Sequence, residues 1–305
     1  MNGVIARSRT FMYAAFGVLL ALCVAVGACG GHEAASPSNP SAIASVRTPL
    51  QIKVMTFNIQ HGIDGTEKYN LQRAIETIAR VRPDIVGMQE VTRNHPFYAC
   101  DDQPARMASG VERATGLRWT ATYQQEWFTP DVSCQQNGRG DGPETEGLVL
   151  LTPRAMTSAS MTALPNSRIG YGATIADAYG VPVLVTHLTS GASNGAVRSQ
   201  QIDRLLGWAG GFGEPRIVVG DFNAAPDTAE MSAITSTYRD AWQEAQRIGR
   251  AIGTPFGHRS TRIDYIFYVP GTSLTLESAE FIDTTALLGV EASDHKPFVA
   301  TFTVR

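Results

Sequence analysis

Short runs of β-branched and aliphatic residues, separated by polar stretches and punctuated by glycine and proline, mark a series of strands along residues 50–305. Gln51–Ile59 alternates and then turns apolar through Ile52, Val54, Met55 and Phe57, which predicts a first strand with Asn58 near its end. Asn70 can cap a helix bearing Leu71, Ile75, Ile78 and Val81 at helical spacing, and Arg82–Pro83 stops it. Asp84–Met88 reads as a short buried strand that delivers Gln89–Glu90. Such a β–α–β unit sets Asn58 and Glu90 at the same end of neighbouring strands.

Residues 92–146 are the least regular. A weak helix over Arg106–Ala114 closes at Gly116, a strand covers Trp119–Trp127, and Thr129–Thr145 is a long, polar, glycine-rich surface loop. Gly147–Leu151 resumes as a strand, ended by Pro153. Tyr171–Ala178 and Val181–His187 predict a hairpin around Tyr179–Gly180, and a helix near Val197–Trp208 carries Ile202, Leu205 and Leu206 on one face.

Ile217–Val219 is an uninterrupted β-branched run, the pattern of a strand buried on both faces. Gly220 ends it and leaves Asp221 and Asn223 at its C-terminal lip, where open α/β sheets bind ligands. Two such side chains, two residues apart, project to one side of an extended backbone. The same residues suit an Asx-turn, with Asp227 capping the next helix and Glu230 at capping-box spacing. Strands at Arg262–Val269, Leu274–Ile282 and Lys296–Val304 complete the set, and Ala292–Ser293–Asp294–His295 lies between the last two. With no repeat and no linker, residues 50–305 are read as one domain.

Hydrophobic residues at 43% and charged residues at 17% fit a folded globular chain and exclude a disordered one. The N-terminus is a targeting segment, with a basic start at Arg7 and Arg9 and an apolar run from Phe11 to Val26. It ends in Val26–Gly27–Ala28–Cys29, which resembles the lipobox of bacterial lipoproteins, whose cysteine is lipidated and becomes the new N-terminus. A plain signal peptide and a membrane anchor are the alternatives, since roughly eighteen apolar residues can just span a bilayer. Gly30–Thr48 then reads as a flexible tether. The expected organisation is residues 1–29 as signal, 30–49 as tether and 50–305 as the working domain of an exported chain, membrane-anchored or secreted. Removing residues 1–29 takes away two arginines and no acids, so the formal charge moves from −3 to −5. That lowers the expectation of tight duplex DNA binding, which draws on many lysine and arginine contacts. Cys100 and Cys134 are the cysteines left in the folded part, and in an oxidising compartment they read as one disulfide.

A polar group stands near the end of strand after strand: Asn58, Glu90, His187, Asp221, Asn223, Asp264, and beyond them Asp294 and His295. A lone histidine or acid at such a place is ordinarily structural. Asp264, inside the apolar run Arg262–Ile263–Asp264–Tyr265–Ile266, is costly unless paired, with Arg262 or a nearby base as partner.

Six motifs occur in order: Met55–Thr56–Phe57–Asn58–Ile59, Asp84–Ile85–Val86–Gly87–Met88–Gln89–Glu90–Val91, Thr186–His187–Leu188, Gly220–Asp221–Phe222–Asn223, Arg262–Ile263–Asp264–Tyr265–Ile266 and Ser293–Asp294–His295. Together they resemble the endonuclease/exonuclease/phosphatase superfamily, over about residues 50–305. The resemblance implies a deoxyribonuclease I-like α/β fold, a four-layer α/β/β/α sandwich of two mixed sheets with helices outside. It also implies hydrolysis of a phosphate ester by activated water, with Mg²⁺, or alternatively Mn²⁺, as cofactor. Glu90, Asn58 and Asp294 would hold the metal, since hard cations take oxygen ligands. His295 paired with Asp264 would be the base, Asp221 and Asn223 would orient water and a phosphoryl oxygen, and His187 would donate to non-bridging oxygens. The family often adds a tyrosine and an arginine from the middle region; Tyr123 and Arg168 are candidates left unassigned. The expected partners are a phosphate-ester substrate, with nucleic acid as a substrate only, and a membrane reached through lipidated Cys29, for a monomeric chain. An extracellular nuclease acting on DNA or RNA is the alternative reading and a non-catalytic binding lipoprotein on the same fold the competing class, and retention of all eight polar residues speaks for an enzyme.

For the N-terminus, Cys29→Ala is expected to abolish palmitate labelling and membrane association of the exported chain. Unchanged labelling and fractionation would contradict the lipobox.

Overall fold

Along β1 (Leu50–Asn58) the alternation sorts side chains to two faces, with Ile52 and Val54 in one hydrophobic core and Met55 and Phe57 in another. A strand buried on both faces needs cover on both, and the rest of the chain supplies it. The computed structural model describes residues 48–305 apart from 179, 257–260 and 272. The targeting segment, all but the end of the tether, and Tyr179 of the expected hairpin turn lie outside the described residues.

In chain order β1 is followed by α1 (Gln72–Val81), β2 (Ile85–Arg93), α2 (Gln103–Thr115), β3 (Thr120–Phe128), α3 (Ser133–Gln136) and β4 (Thr145–Thr152). Next come β5 (Met156–Leu164), β6 (Arg168–Ile175), β7 (Val181–His187), α4 (Gly195–Ala209), β8 (Ile217–Asp221) and α5 (Met231–Thr235). The chain ends with β9 (Arg239–Asp240), α6 (Ala241–Arg247), β10 (Ala251–Ile252), β11 (Asp264–Tyr268), β12 (Leu274–Phe281), α7 (Thr284–Leu288) and β13 (Phe298–Val304).

These strands form two mixed sheets, in the orders β10-β12-β13-β1-β2-β4-β3 and β5-β6-β7-β8-β11-β9. The sheets meet through Ile52, Val54, Ile85 and Leu150 of one and Val183, Val185, Ile217, Val219 and Ile266 of the other. Helices cover the outer faces. Ile75 and Ile78 of α1 and Met107 and Val111 of α2 pack on Phe57 and Met88. On the other side Ile202 and Leu205 of α4 and Ile234 of α5 pack on Leu184, Val218 and Phe267. The result is the expected α/β/β/α sandwich. Gly87 marks a close approach of the sheets: a Cβ there would lie 2.4 Å from Val219 Cγ2 and 3.0 Å from Val185 Cγ2. Among the described residues no helix is long and apolar enough to cross a membrane.

Several local expectations change. Asn70 does not cap α1; its Nδ2 donates to Asp64 Oδ2 at 3.1 Å, and the helix begins after Leu71 without a side-chain cap. Asp227 and Glu230 form no capping box, because α5 is uncapped and Glu230 takes Arg198 at 2.7 Å instead. β5 was not legible from periodicity: Thr157–Met161 are all exposed on an edge strand, so nothing forces them to alternate. Helix α6 is set by Asp240, whose carboxylate accepts the Trp242 N–H at 2.9 Å, and Trp242 packs edge-on against Phe281 at 5.0 Å. The Cys100–Cys134 disulfide is formed, with Cα atoms 5.5 Å apart, and it pins the 129–145 segment to the turn before α2.

Candidate active site

Register brings the polar strand ends together. In the second sheet β7 pairs parallel with β8 and β11 antiparallel with β8, so His187 lies opposite Asp221 and Asp221 opposite Asp264. A Cβ at Gly220 would sit 2.2 Å from the Thr186 carbonyl oxygen, so a residue without one lets β8 pass β7 just before the site. Asn223 adopts φ 50°, and its N–H donates to Asp221 Oδ1 at 2.8 Å. The Asx-turn is therefore real, and it leaves the other carboxylate oxygen for the cleft. Asp221 Oδ2 lies 3.5 Å from His187 Nε2 and 3.7 Å from His295 Nε2, and accepts from Asn58 Nδ2 at 3.2 Å. Asn223 Nδ2 donates to the Leu188 carbonyl at 3.0 Å.

In the first sheet β1 and β2 run parallel with Asn58 beside Gln89. The β2–β4 register shifts between Met88 and Val91, and Glu90 there takes φ 55°. This bulge turns the carboxylate out of the ladder toward the cleft. Glu90 Oε1 accepts from Asn58 Nδ2 at 2.9 Å, so one amide nitrogen serves both Glu90 and Asp221. Asn58 Oδ1 is occupied by the Gln60 N–H at 3.0 Å. In this structure Asn58 is thus an amide donor to the carboxylates.

The lip before β13 completes the group. Ser293 Oγ donates to the Asn58 carbonyl at 2.8 Å, the Asp294 N–H donates to Gln60 Oε1 at 3.1 Å, and His295 Nδ1 meets Asp264 Oδ2 at 2.8 Å. Asp264 pairs with this base, while Arg262 pairs with Asp240 and stacks over Tyr265 at 4.1 Å. Asp294 Oδ1 lies 3.9 Å from His295 Nε2.

Burial pushes the Asp221 carboxyl up to about 7; His295 opposes this, while Asp264 and Glu90 add to it. Burial works against the His295 cation, yet the charges of Asp264 and Asp221 and the Asp264 hydrogen bond push it up to about 10. Asp264 Oδ1 is buried with no hydrogen-bond partner among the described residues. Acids and a histidine stand close enough to hold a cation in two sets, Glu126–Glu146–His187 and Asp221–Asp264–His295.

The cleft, of about 270 Å³, is lined by Glu90, His187, Asp221 and Asn223 together with His61, Glu146, Arg168 and Ser190. Sequence reasoning left out His61, Glu146 and Glu126. Glu126 sits where the β3–β4 register shifts, which aims its buried carboxyl across at Arg168, 3.3 Å away in the other sheet. Arg168 Nη1 also lies 3.4 Å from His187 Nδ1. Burial pushes Glu126 up to about 8, with Arg168 opposing and Glu146 adding. Tyr123 instead donates to Thr145 Oγ1 at 3.0 Å and is not part of the cleft lining. Bulges leave no periodic signal, so an irregular strand end beside an acid was the one available cue.

A profile of the Endonuclease/Exonuclease/phosphatase family matches residues 55–295, a span that holds all eight residues. The chain belongs to this family. Among solved structures it is similar to an endonuclease/exonuclease/phosphatase from Beutenbergia cavernae, at 22% identity and TM-score 0.65, covering 83% of this chain and 72% of that one. The human Nocturnin catalytic domain with bound sulfate anion gives 22% identity and TM-score 0.61 over 85% of this chain and 98% of that one. D. rerio TDP2 complexed with a single strand DNA product gives 18% and 0.58 over 83% and 98%. At these identities the likeness establishes the fold. No curated protein matches the chain.

The raised values carry a sign. For His295 the folded protein holds its proton to about pH 10 while the unfolded chain releases it near 6.5. For Asp221 the corresponding values are about 7 and 3.8. In both windows the folded state binds more protons, so stability falls as pH rises. With chelator present, the melting temperature is expected to drop between pH 6.5 and 10; a rise across that range in differential scanning fluorimetry would contradict the assignment.

Proposed function

We propose that the protein is a divalent-metal-dependent phosphoesterase that hydrolyses a phosphodiester, or a phosphomonoester, by an activated water. The reading rests above all on one observation: Glu90 and Asp221 line the same cleft and share the Asn58 amide, while the His295–Asp264 pair backs Asp221. Members of this family are typically phosphoester hydrolases, and family membership supplies the general class.

Glu90 and Asp294 would hold Mg²⁺ or Mn²⁺, and Asn58, expected as a third ligand, instead orients Glu90 through its amide. When bound, the cation supplies positive charge to the phosphoryl oxygens and makes a bound water more acidic. With the surrounding carboxylate charge neutralised, His295 would release the proton those acids otherwise hold on it and could then take one from water at Nε2, while Asp264 fixes its tautomer at Nδ1 and stabilises the imidazolium. Arg168 would bring positive charge and His187 an N–H donor to the non-bridging oxygens as charge develops there. Asp221 and the turn at Asn223 keep these groups in register.

The acidic balance of the exported chain favours a small or membrane-borne phosphate ester over duplex DNA. Sulfate in Nocturnin and a DNA product in TDP2 are ligands of those proteins, and they set the substrate panel for this one. The lipobox-like Cys29 would tether the catalytic domain outside the cytoplasm.

The test is hydrolysis of bis-p-nitrophenyl phosphate, p-nitrophenyl phosphate, plasmid DNA, inositol phosphates and sphingomyelin with Mg²⁺ or Mn²⁺. His295→Ala and Glu90→Gln should each lower kcat/KM by about 10²–10⁴-fold on the substrate that turns over. Unchanged rates in both variants would refute the site. Inertness of the parent protein on every substrate would favour a binding protein on the same fold.

A further inference from the structure

The wall of the cleft beside Glu90 is built by residues that the reaction described above does not use. His61 follows Asn58 by three positions, in a short 3₁₀ turn, Gln60–Gly62. Both Gln60 and His61 have left-handed backbones, φ 47° and 55°, and Gln103 Nε2 fixes the turn by donating to the His61 carbonyl at 2.7 Å. The turn aims His61 Nε2 between two acids, 2.7 Å from Glu146 Oε2 and 3.7 Å from Glu90 Oε2. Among the described residues no other basic side chain forms an ion pair with either acid.

The imidazole is held from behind as well. Tyr98 stacks on it nearly parallel, centroids 5.2 Å apart, with its hydroxyl 3.4 Å from Nδ1. His95 packs on Tyr98 at 4.1 Å, and His95 Nε2 in turn meets Glu144 at 3.2 Å. Tyr98 and Glu144 belong to the two segments that Cys100–Cys134 joins. The Asn94 amide crosses between the same segments, donating to Asp141 at 3.0 Å and to the Pro143 carbonyl at 3.1 Å. An exposed histidine–glutamate pair would need none of this support.

Oε1 of Glu90 accepts the Asn58 amide, and Oε2 faces the His61 imidazole as an ion pair at 3.7 Å while that imidazole bonds Glu146. We propose that His61 is a positioning residue for Glu90: seated on Tyr98 and anchored by Glu146, it fixes the orientation in which the Glu90 carboxylate receives the cation. The proposal rests on the metal-dependent reading and adds to it why the Cys100–Cys134 segments flank the cleft. A carboxylate that ligates a metal is oriented by the charged and polar groups around it, and loss of such an outer partner typically weakens metal affinity by about 10–100-fold.

The test is Mn²⁺ titration of the full chain followed by electron paramagnetic resonance, on the parent protein and on His61→Ala, His61→Gln and Glu146→Gln. Melting curves in chelator check the folding of each variant. His61→Ala and Glu146→Gln should bind Mn²⁺ about 10–100-fold more weakly. His61→Gln, which keeps a donor, should recover part of the loss. In turnover the Mg²⁺ activation constant should rise by more than kcat at saturating Mg²⁺ falls. If His61→Ala does not fold, Glu146→Gln and His61→Gln decide the matter. Parental Mn²⁺ affinity in the folded variants overturns the positioning role alone, whereas a parent protein that takes up no Mn²⁺ overturns the metal-dependent reading with it.

Discussion

Asp221 is buried between two imidazoles, with Asp264 opposite it across the ladder and Glu90 sharing the same asparagine amide. Crowding of carboxylates at the ends of apolar strands is the constraint on which the rest of the site depends. Each buried acid is costly unless its charge is met. The protein meets part of it with His295, part with the Asn58 amide and part by holding protons, which is why both Asp221 and His295 stand above their ordinary values. Such an arrangement is a poor way to stabilise a fold, and the cation proposed for the cleft would relieve it.

The two-sheet sandwich makes the crowding workable. Parallel pairing of β1 with β2 and of β7 with β8 places strand ends on one side, and β13, antiparallel to β1, begins at the same lip. Close approach at Gly87 keeps the sheets tight beneath that lip, so Asn58 of one sheet reaches Asp221 of the other. Bulges supply the remaining direction. One aims Glu90 and another aims Glu126, each from a position where a regular ladder would not leave an extra residue. Across the cleft, Glu126 and Arg168 form a second bridge between the sheets.

Much of this was legible in the sequence because buried strands must alternate or run apolar. β1, β2, β7 and β8 were readable for that reason, and the eight polar strand-end residues were found from their places at strand ends and from the ordered motifs. The exposed edge strand β5 carried no such constraint and was missed. Helix starts misled where side chains had better partners in three dimensions: Asn70 serves Asp64, and Glu230 serves Arg198. His61 and Glu126 escaped notice because a left-handed turn and a bulge bring them in, and Glu146 because it stands at the start of β4, ahead of the apolar run Gly147–Leu151. None of these devices has a period. At Gly220–Asn223 one oxygen of Asp221 closes the expected turn, and the other faces His187 and His295.

The most direct measurement is a crystal structure of the protein soaked in Mn²⁺, with data collected at the manganese absorption edge. An anomalous peak in the cleft, coordinated by Glu90 and Asp294, is the expected result. Well-ordered Glu90, Asp221 and His295 with no peak between the sheets at saturating Mn²⁺, or a peak held only by acids outside the cleft, would contradict it.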